Sequence, residues 1–256
     1  MIQDLHSHTY YSFCGGDRPE EVADAALAGG IEVLGITDHN YGVGYGRFDV
    51  FCCPCAESLH GTYERTLRRY YDHINLLREK YRGKIEIKRG IELCTLYDGQ
   101  GFKKHHLPES EDISYFDYCL IENLDHPISV THGDLFSYAK RCGTPTVGIA
   151  HTDMFSFIKA RGEDPYGYFC RMAEENIFWE MNVSYDPTHN YHVHGYVTEF
   201  FKNEEQQDIV RRSGVRVSVG FDGHRAVDYL PERVKDFNEK LTGMGILKPF
   251  EEKNKE

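Results

Sequence analysis

Histidines and carboxylates recur along this chain where they could hold divalent cations. DLHSHT puts Asp4, His6 and His8 at alternate positions where the first apolar stretch ends. A strand repeats with period two, so it would point all three to one side. Near the other end GFDGH supplies Asp222 and His224 in the same alternating way. Between them stand His39 in TDH, Glu92 in RGIE, His126 in NLDH and His151 in GIAHTD. Imidazole nitrogens and carboxylate oxygens suit zinc, iron or manganese. His6, His8 and Asp222 could share one ion, and Glu92, having two oxygens, could bridge to a second. Any one histidine is more often a surface or satisfied core residue, and 14 of them make chance pairs common. Recurrence at the ends of successive apolar segments is what argues for a metal centre.

Those segments alternate with helix-like ones throughout. PEEVADAALAGG has a proline near its start, acids in its first turn and glycines at its close, the marks of a helix. EVLGITDH reads as a buried strand, and YERTLRRYYDHINLLREKY as a helix ending before Gly83. KIEIKRGIEL, DYCLIENL, PTVGIAH, IFWEMNVSY and VRVSVGFDGH are further strands, most of them fed by a helix. This order predicts an α/β fold with a mostly parallel sheet, and seven strands favour a (β/α)7 TIM-like barrel. His8, His39, Glu92, His126, His151, Asn182, Asp222 and His224 all fall at or just after strand C-termini. In a barrel those ends converge on one face, and the first and last strands are neighbours. The 256 residues suit a single domain over 1–256, with an insertion loop at about 40–61 and a charged, frayed tail at about 248–256.

Bulk properties narrow the partners. A net charge of -12 argues against long nucleic acid and anionic membranes, both of which need clustered Lys and Arg. No long apolar run or signal-type segment is present, so a cytoplasmic protein is expected. The eight cysteines are then expected as thiols. Cys52, Cys53 and Cys55 have a partial metal or redox spacing with no second pair to complete it.

Five stretches, DLHSHT, GITDHN, RGIE, GIAHTD and GFDGH, resemble in order and spacing the motifs of the PHP (polymerase and histidinol phosphatase) family, over nearly the whole chain. The resemblance implies a distorted (β/α)7 barrel that holds two or three zinc, manganese or iron ions and hydrolyses phosphoesters. One ion would take His6, His8, Glu92 and Asp222; a second Glu92, His126 and His151; a third His39 and His224. Gly16 stands about where the family supplies another histidine, leaving Asp17 or Cys14 as substitutes, and His132 is a rival to His126. WEMN resembles the family's Glu-x-Asn.

Catalysis would rest on Glu92, Asp222 and either His224 or Asp153 as proton donor. Asp4, Asp38 and Asp153 are placed to accept the second N–H of ligating imidazoles. Arg161, His192, His194 and Arg225 lie in loops that would meet the substrate, with His189 nearby. The expected activity is release of phosphate from a small phosphorylated metabolite, L-histidinol phosphate being the family precedent. A nucleotidase or exonuclease on short oligonucleotides is the alternative. An amidohydrolase-like metal hydrolase is opposed by TDH and by a bridging Glu rather than Lys.

Overall fold

The computed structural model describes residues 1–45, 60–97, 106–184 and 194–251. Its strands run in chain order as β1 (Gln3–Asp4), β2 (Val33–Ile36), β3 (Glu86–Arg89), β4 (Glu92–Cys94), β5 (Cys119–Glu122), β6 (Val147–Ile149), β7 (Ile177–Asn182) and β8 (Val217–Gly220). All sheet pairings are parallel, with β1-β2-β3 in one sheet and β4-β5-β6-β7-β8 in another. β3 and β4 are one stretch of chain interrupted at Gly90 and Ile91. The first pairs with β2 and the second with β5.

The sheets also meet at their other edges. The Leu5 N–H donates to Val219 and the Asp222 N–H to His6, and Ser7 bridges Gly223. Beside β2, His39 bridges Glu92. With β3 and β4 taken as one stave, seven staves join edge to edge, and the chain's two ends are neighbours.

Helices cover the outside: α1 (Pro19–Ala28), α2 (Asn40–Tyr45), α3 (His60–Lys80), α4 (Leu135–Cys142), α5 (Met154–Ala160), α6 (Pro165–Glu174), α7 (Gly195–Phe200), α8 (Glu204–Ser213) and α9 (Pro231–Gly243). Their starts are set by side chains that satisfy free N–H groups. Asp134, Asp153, Asp164 and Asn203 each accept from the backbone N–H three residues on. Gly143 and Gly214 close α4 and α8 in the left-handed conformation that glycine adopts without a steric cost.

Two apolar clusters match the two faces of the staves. Outward residues such as Ile36, Leu93, Ile121, Ile149, Trp179 and Val219 pack under the helices. Inward, Leu5, Val33, Tyr118, Leu120, Ala150 and Phe178 fill the barrel. Tyr118 crosses this plug and donates from its hydroxyl to the Leu5 carbonyl at 2.7 Å. Gly35 has no side chain because a Cβ there would lie 1.8 Å from the Tyr118 hydroxyl oxygen. Trp179, fully buried, donates from Nε1 to Thr152.

Two expected boundaries change. The stretch expected as a loop from residue 40 starts with helix α2 and runs into α3, residues 46–59 lying outside those described. The expected frayed tail is docked over 248–251. Lys248 is 1% exposed, with Nζ 2.8 Å from Thr242 Oγ1 and 3.2 Å from Glu251, and Phe250 stands edge-on to Tyr118. Among the described residues no helix is long and apolar enough to cross a membrane.

Candidate metal centre

Above the apolar plug the same staves turn polar. Two residues beyond Leu120 on β5 comes Glu122, two beyond Phe178 on β7 come Glu180 and then Asn182, and Glu92 opens β4. Glu92 is the hub. Its carboxylate lies 3.3 Å from His6 Nε2, 3.5 Å from His8 Nε2, 2.8 Å from His39 Nδ1 and 3.2 Å from His151 Nε2. Asp222 joins from the other edge, 3.0 Å from His8 Nε2. Four donor groups interlock here: His6, His8 and Asp222; His8, His39 and Glu92; His8, Cys14 and His224; and Glu92, Glu122 and His151.

The supports of these donors are specific. Glu180 takes the second nitrogen of His6, with Oε1 2.7 Å from Nδ1, and its Oε2 accepts the His151 backbone N–H at 2.8 Å. Gly220 makes room for that carboxylate, since a Cβ there would lie 2.0 Å from Glu180 Oε1 and 2.7 Å from the His6 Cβ. Asn182 Nδ2 donates to Asp222 Oδ2 at 3.2 Å. His8 Nδ1 lies 3.2 Å from Ser12 Oγ, whose hydroxyl donates to Asp38. Asp38 also accepts from the Ser12 N–H and from the N–H and hydroxyl of Thr9, so one carboxylate shapes the loop after β1. Asp222 and His151 leave their strands with φ of 56° and 27°, a left-handed region disfavoured for side chains and common at functional sites.

Electrostatics in the cluster are those of carboxylates sharing protons with imidazoles. Burial opposes charge on His6 and His39, yet Glu180, Glu92 and Asp222 around the first, and Glu92 and Glu122 around the second, raise both well above the ordinary histidine value. Burial likewise opposes charge on His151, but contact with Glu92 raises it to about 9. His8 is the exception: burial, with His39 beside it, lowers it to about 3, so its ring is neutral. Burial would raise Glu92 and Asp222, but the histidines hold both well below the usual carboxylate range.

These residues fit divalent cations. His39 Nδ1 and Glu92 Oε2 are buried and, although close enough to attract, neither has a hydrogen-bond partner. Buried polar atoms in such a position call for a ligand. A neutral imidazole (His8), carboxylates with free lone pairs, and histidines whose protons a cation would displace make a nitrogen and oxygen donor set of the kind zinc, iron and manganese accept.

Most expected donors converge: His6, His8, His39, Glu92, His151, Asp222 and His224. His126 does not. It is exposed, its Nδ1 accepts the Ile128 N–H, and Glu122 stands where an imidazole was expected. His132 is exposed as well. Asp17 turns away to accept the Ala226 N–H, and Cys14 comes to the cluster instead. Asp4 does not share a side with His6 and His8, because β1 ends at residue 4 and its carboxylate binds Phe221 N–H and the Tyr229 hydroxyl. Asp153 directs both oxygens to Ser156 as the cap of α5, which withdraws it as the expected proton donor or imidazole support. Among Asp4, Asp38 and Asp153, none binds an imidazole directly.

Of the expected substrate contacts, His194 stacks over His151 with ring centres 6.0 Å apart, and Arg225 lies beside Gly16 at the rim. Arg161 closes the far end of α5, where its Nε donates to Glu163. His189, His192 and the Cys52, Cys53, Cys55 cluster lie outside the described residues.

The fold and the donor cluster together define an α/β barrel protein with a metal-binding rim. Residues 4–121 match the PHP domain model. Among solved structures, the chain is similar to histidinol phosphate phosphatase from Lactococcus lactis, solved with zinc, L-histidinol and phosphate. The identity is 17% and the TM-score 0.53, over 96% of this chain and 95% of that one. The Listeria monocytogenes protein hisK aligns at 14% identity and TM-score 0.45, over 88% of this chain and 96% of that one. No curated protein matches the sequence.

Proposed function

We propose that this protein is a metal-dependent phosphatase that releases phosphate from a small phosphorylated metabolite. The observation that carries the reading is the interlocked donor set around Glu92, built at the C-terminal rim of a PHP-type barrel. His6, His8, Glu92 and Asp222 would hold one divalent cation, and Glu92, Glu122 and His151 a second. Bound there, the cations would supply the charge that phosphoryl oxygens require and acidify the attacking water.

The protein's own part is orientation. Glu180 fixes the His6 ring through Nδ1, Ser12 fixes His8 through its Nδ1, and Asn182 holds Asp222, so each donor presents its remaining atom to the centre. His194 and Arg225 flank the opening and would contact the phosphate or its carrier. L-Histidinol phosphate is the first substrate to try, because the Lactococcus lactis protein of the same fold was solved with L-histidinol and phosphate.

The test is a screen of the full chain, loaded in turn with zinc, manganese and iron and with bound metal measured. The substrates are L-histidinol phosphate, p-nitrophenyl phosphate, other phosphorylated metabolites and dinucleotides. Phosphate release from a monoester, lost in Glu92→Gln by more than about 100-fold, is the expected result. No phosphate release from any monoester with metal bound would overturn the proposal, and cleavage of dinucleotides to mononucleotides alone, followed by chromatography, would move it to the oligonucleotide reading.

A further inference from the structure

The loop after β1 carries a thiol into the donor cluster. Cys14 Sγ lies within 4.8 Å of the ligand atoms of His8 and His224. Three imidazoles form one stack, with ring centres 4.6 Å apart for His8 and His39 and 4.9 Å for His8 and His224. The thiol's position is built in. The Gly16 N–H donates to the His224 carbonyl and the Ala226 N–H to Asp17, tying the loop to the segment after β8. Gly15 lets the loop fold back on itself, because a Cβ there would lie 2.0 Å from the Thr9 oxygen. Next to this group, the buried Glu92 Oε2 lacks a hydrogen-bond partner and faces His8.

We propose that Cys14 is a thiolate ligand of an outer cation, held with His224 on the side of the centre where His8 and His39 stack. This rests on the metal-centre reading above and adds to it a sulfur donor. Binding would break the S–H bond, release the proton to solvent and form a metal–sulfur bond. A soft sulfur among nitrogens selects zinc, iron or cobalt and disfavours magnesium and manganese, which prefer oxygen donors. The outer site would therefore differ in metal preference from the carboxylate-rich sites around Glu92.

Cobalt(II) loading of the full chain tests this by absorption. The expected result is a sulfur-to-cobalt charge-transfer band in the near ultraviolet, together with the visible bands of nitrogen and oxygen coordination. Cys14→Ser should lose the charge-transfer band and one bound ion, and keep the visible bands. Cys14→His should regain the ion without the band, which distinguishes ligation from a structural role for the loop. Visible bands without a charge-transfer band, or a charge-transfer band that survives Cys14→Ser or Cys14→His, would overturn the thiolate proposal and leave the carboxylate centre standing. Failure to bind cobalt at all would overturn both.

Discussion

Single residues differ sharply in what they do for the centre. Glu180 has no place in any of the donor groups, yet it fixes His6 and the His151 backbone, so Glu180→Gln should bind metal about 10–100-fold more weakly, measured by competition with a chromogenic chelator. Protons and cations compete for His6, His39 and His151. Zinc binding near neutral pH should therefore release protons and weaken as pH falls, which calorimetry in buffers of different ionisation enthalpy would show. Asp4 gives a prediction of opposite sign. Burial raises its carboxyl to about 6, so the fold favours the protonated form. Its contribution is complete below about 4, the ordinary value, and is lost as pH rises through about 6. Asp4→Asn should keep the bonds to Phe221 and Tyr229 and gain about 3 kcal/mol relative to the parent between pH 4 and 7. A pH-independent stability difference in chelator-treated protein would contradict this.

At the scale of elements, the strands were largely legible and the loops were not. Strands buried on both faces read as apolar runs, as in VLGI, CLIE and VSVG, and polar residues at their exits announce a rim. Seven of the residues expected on that logic meet in the cluster. Glu122 is not among them, because an imidazole is the group expected after DYCLIE, although an acid two residues past Leu120 on a buried strand is itself a signal. Asp4 departs from the expected side because strict alternation holds only while the chain stays extended, and β1 is two residues long. The choice between Cys14 and Asp17 depended on how one loop folds over another, which local pattern does not encode. Gly220 on β8 shows how tightly an element and the site are fitted. Gly220→Ala would push on Glu180 and His6 together, costing about 1–3 kcal/mol by urea unfolding and lowering metal affinity with it.

For the molecule as a whole, cations should contribute to stability because they bind the folded chain and bring its acidic residues together. At a metal concentration about 1,000 times Kd one site adds about 4 kcal/mol. Chelation should then lower Tm by on the order of 10 °C, seen in a thermal melt with and without excess zinc. The seam between β1 and β8 has a kinetic consequence. His6 and His8 emerge first during synthesis, but Asp222 and the Val219 carbonyl that pairs with Leu5 come more than two hundred residues later. Closure depends on contacts of very high sequence separation, the kind that slow folding. A nascent polypeptide stalled before its last strand would lack Asp222 and His224, so the donor group of His6, His8 and Asp222 is completed only at the final stage of maturation.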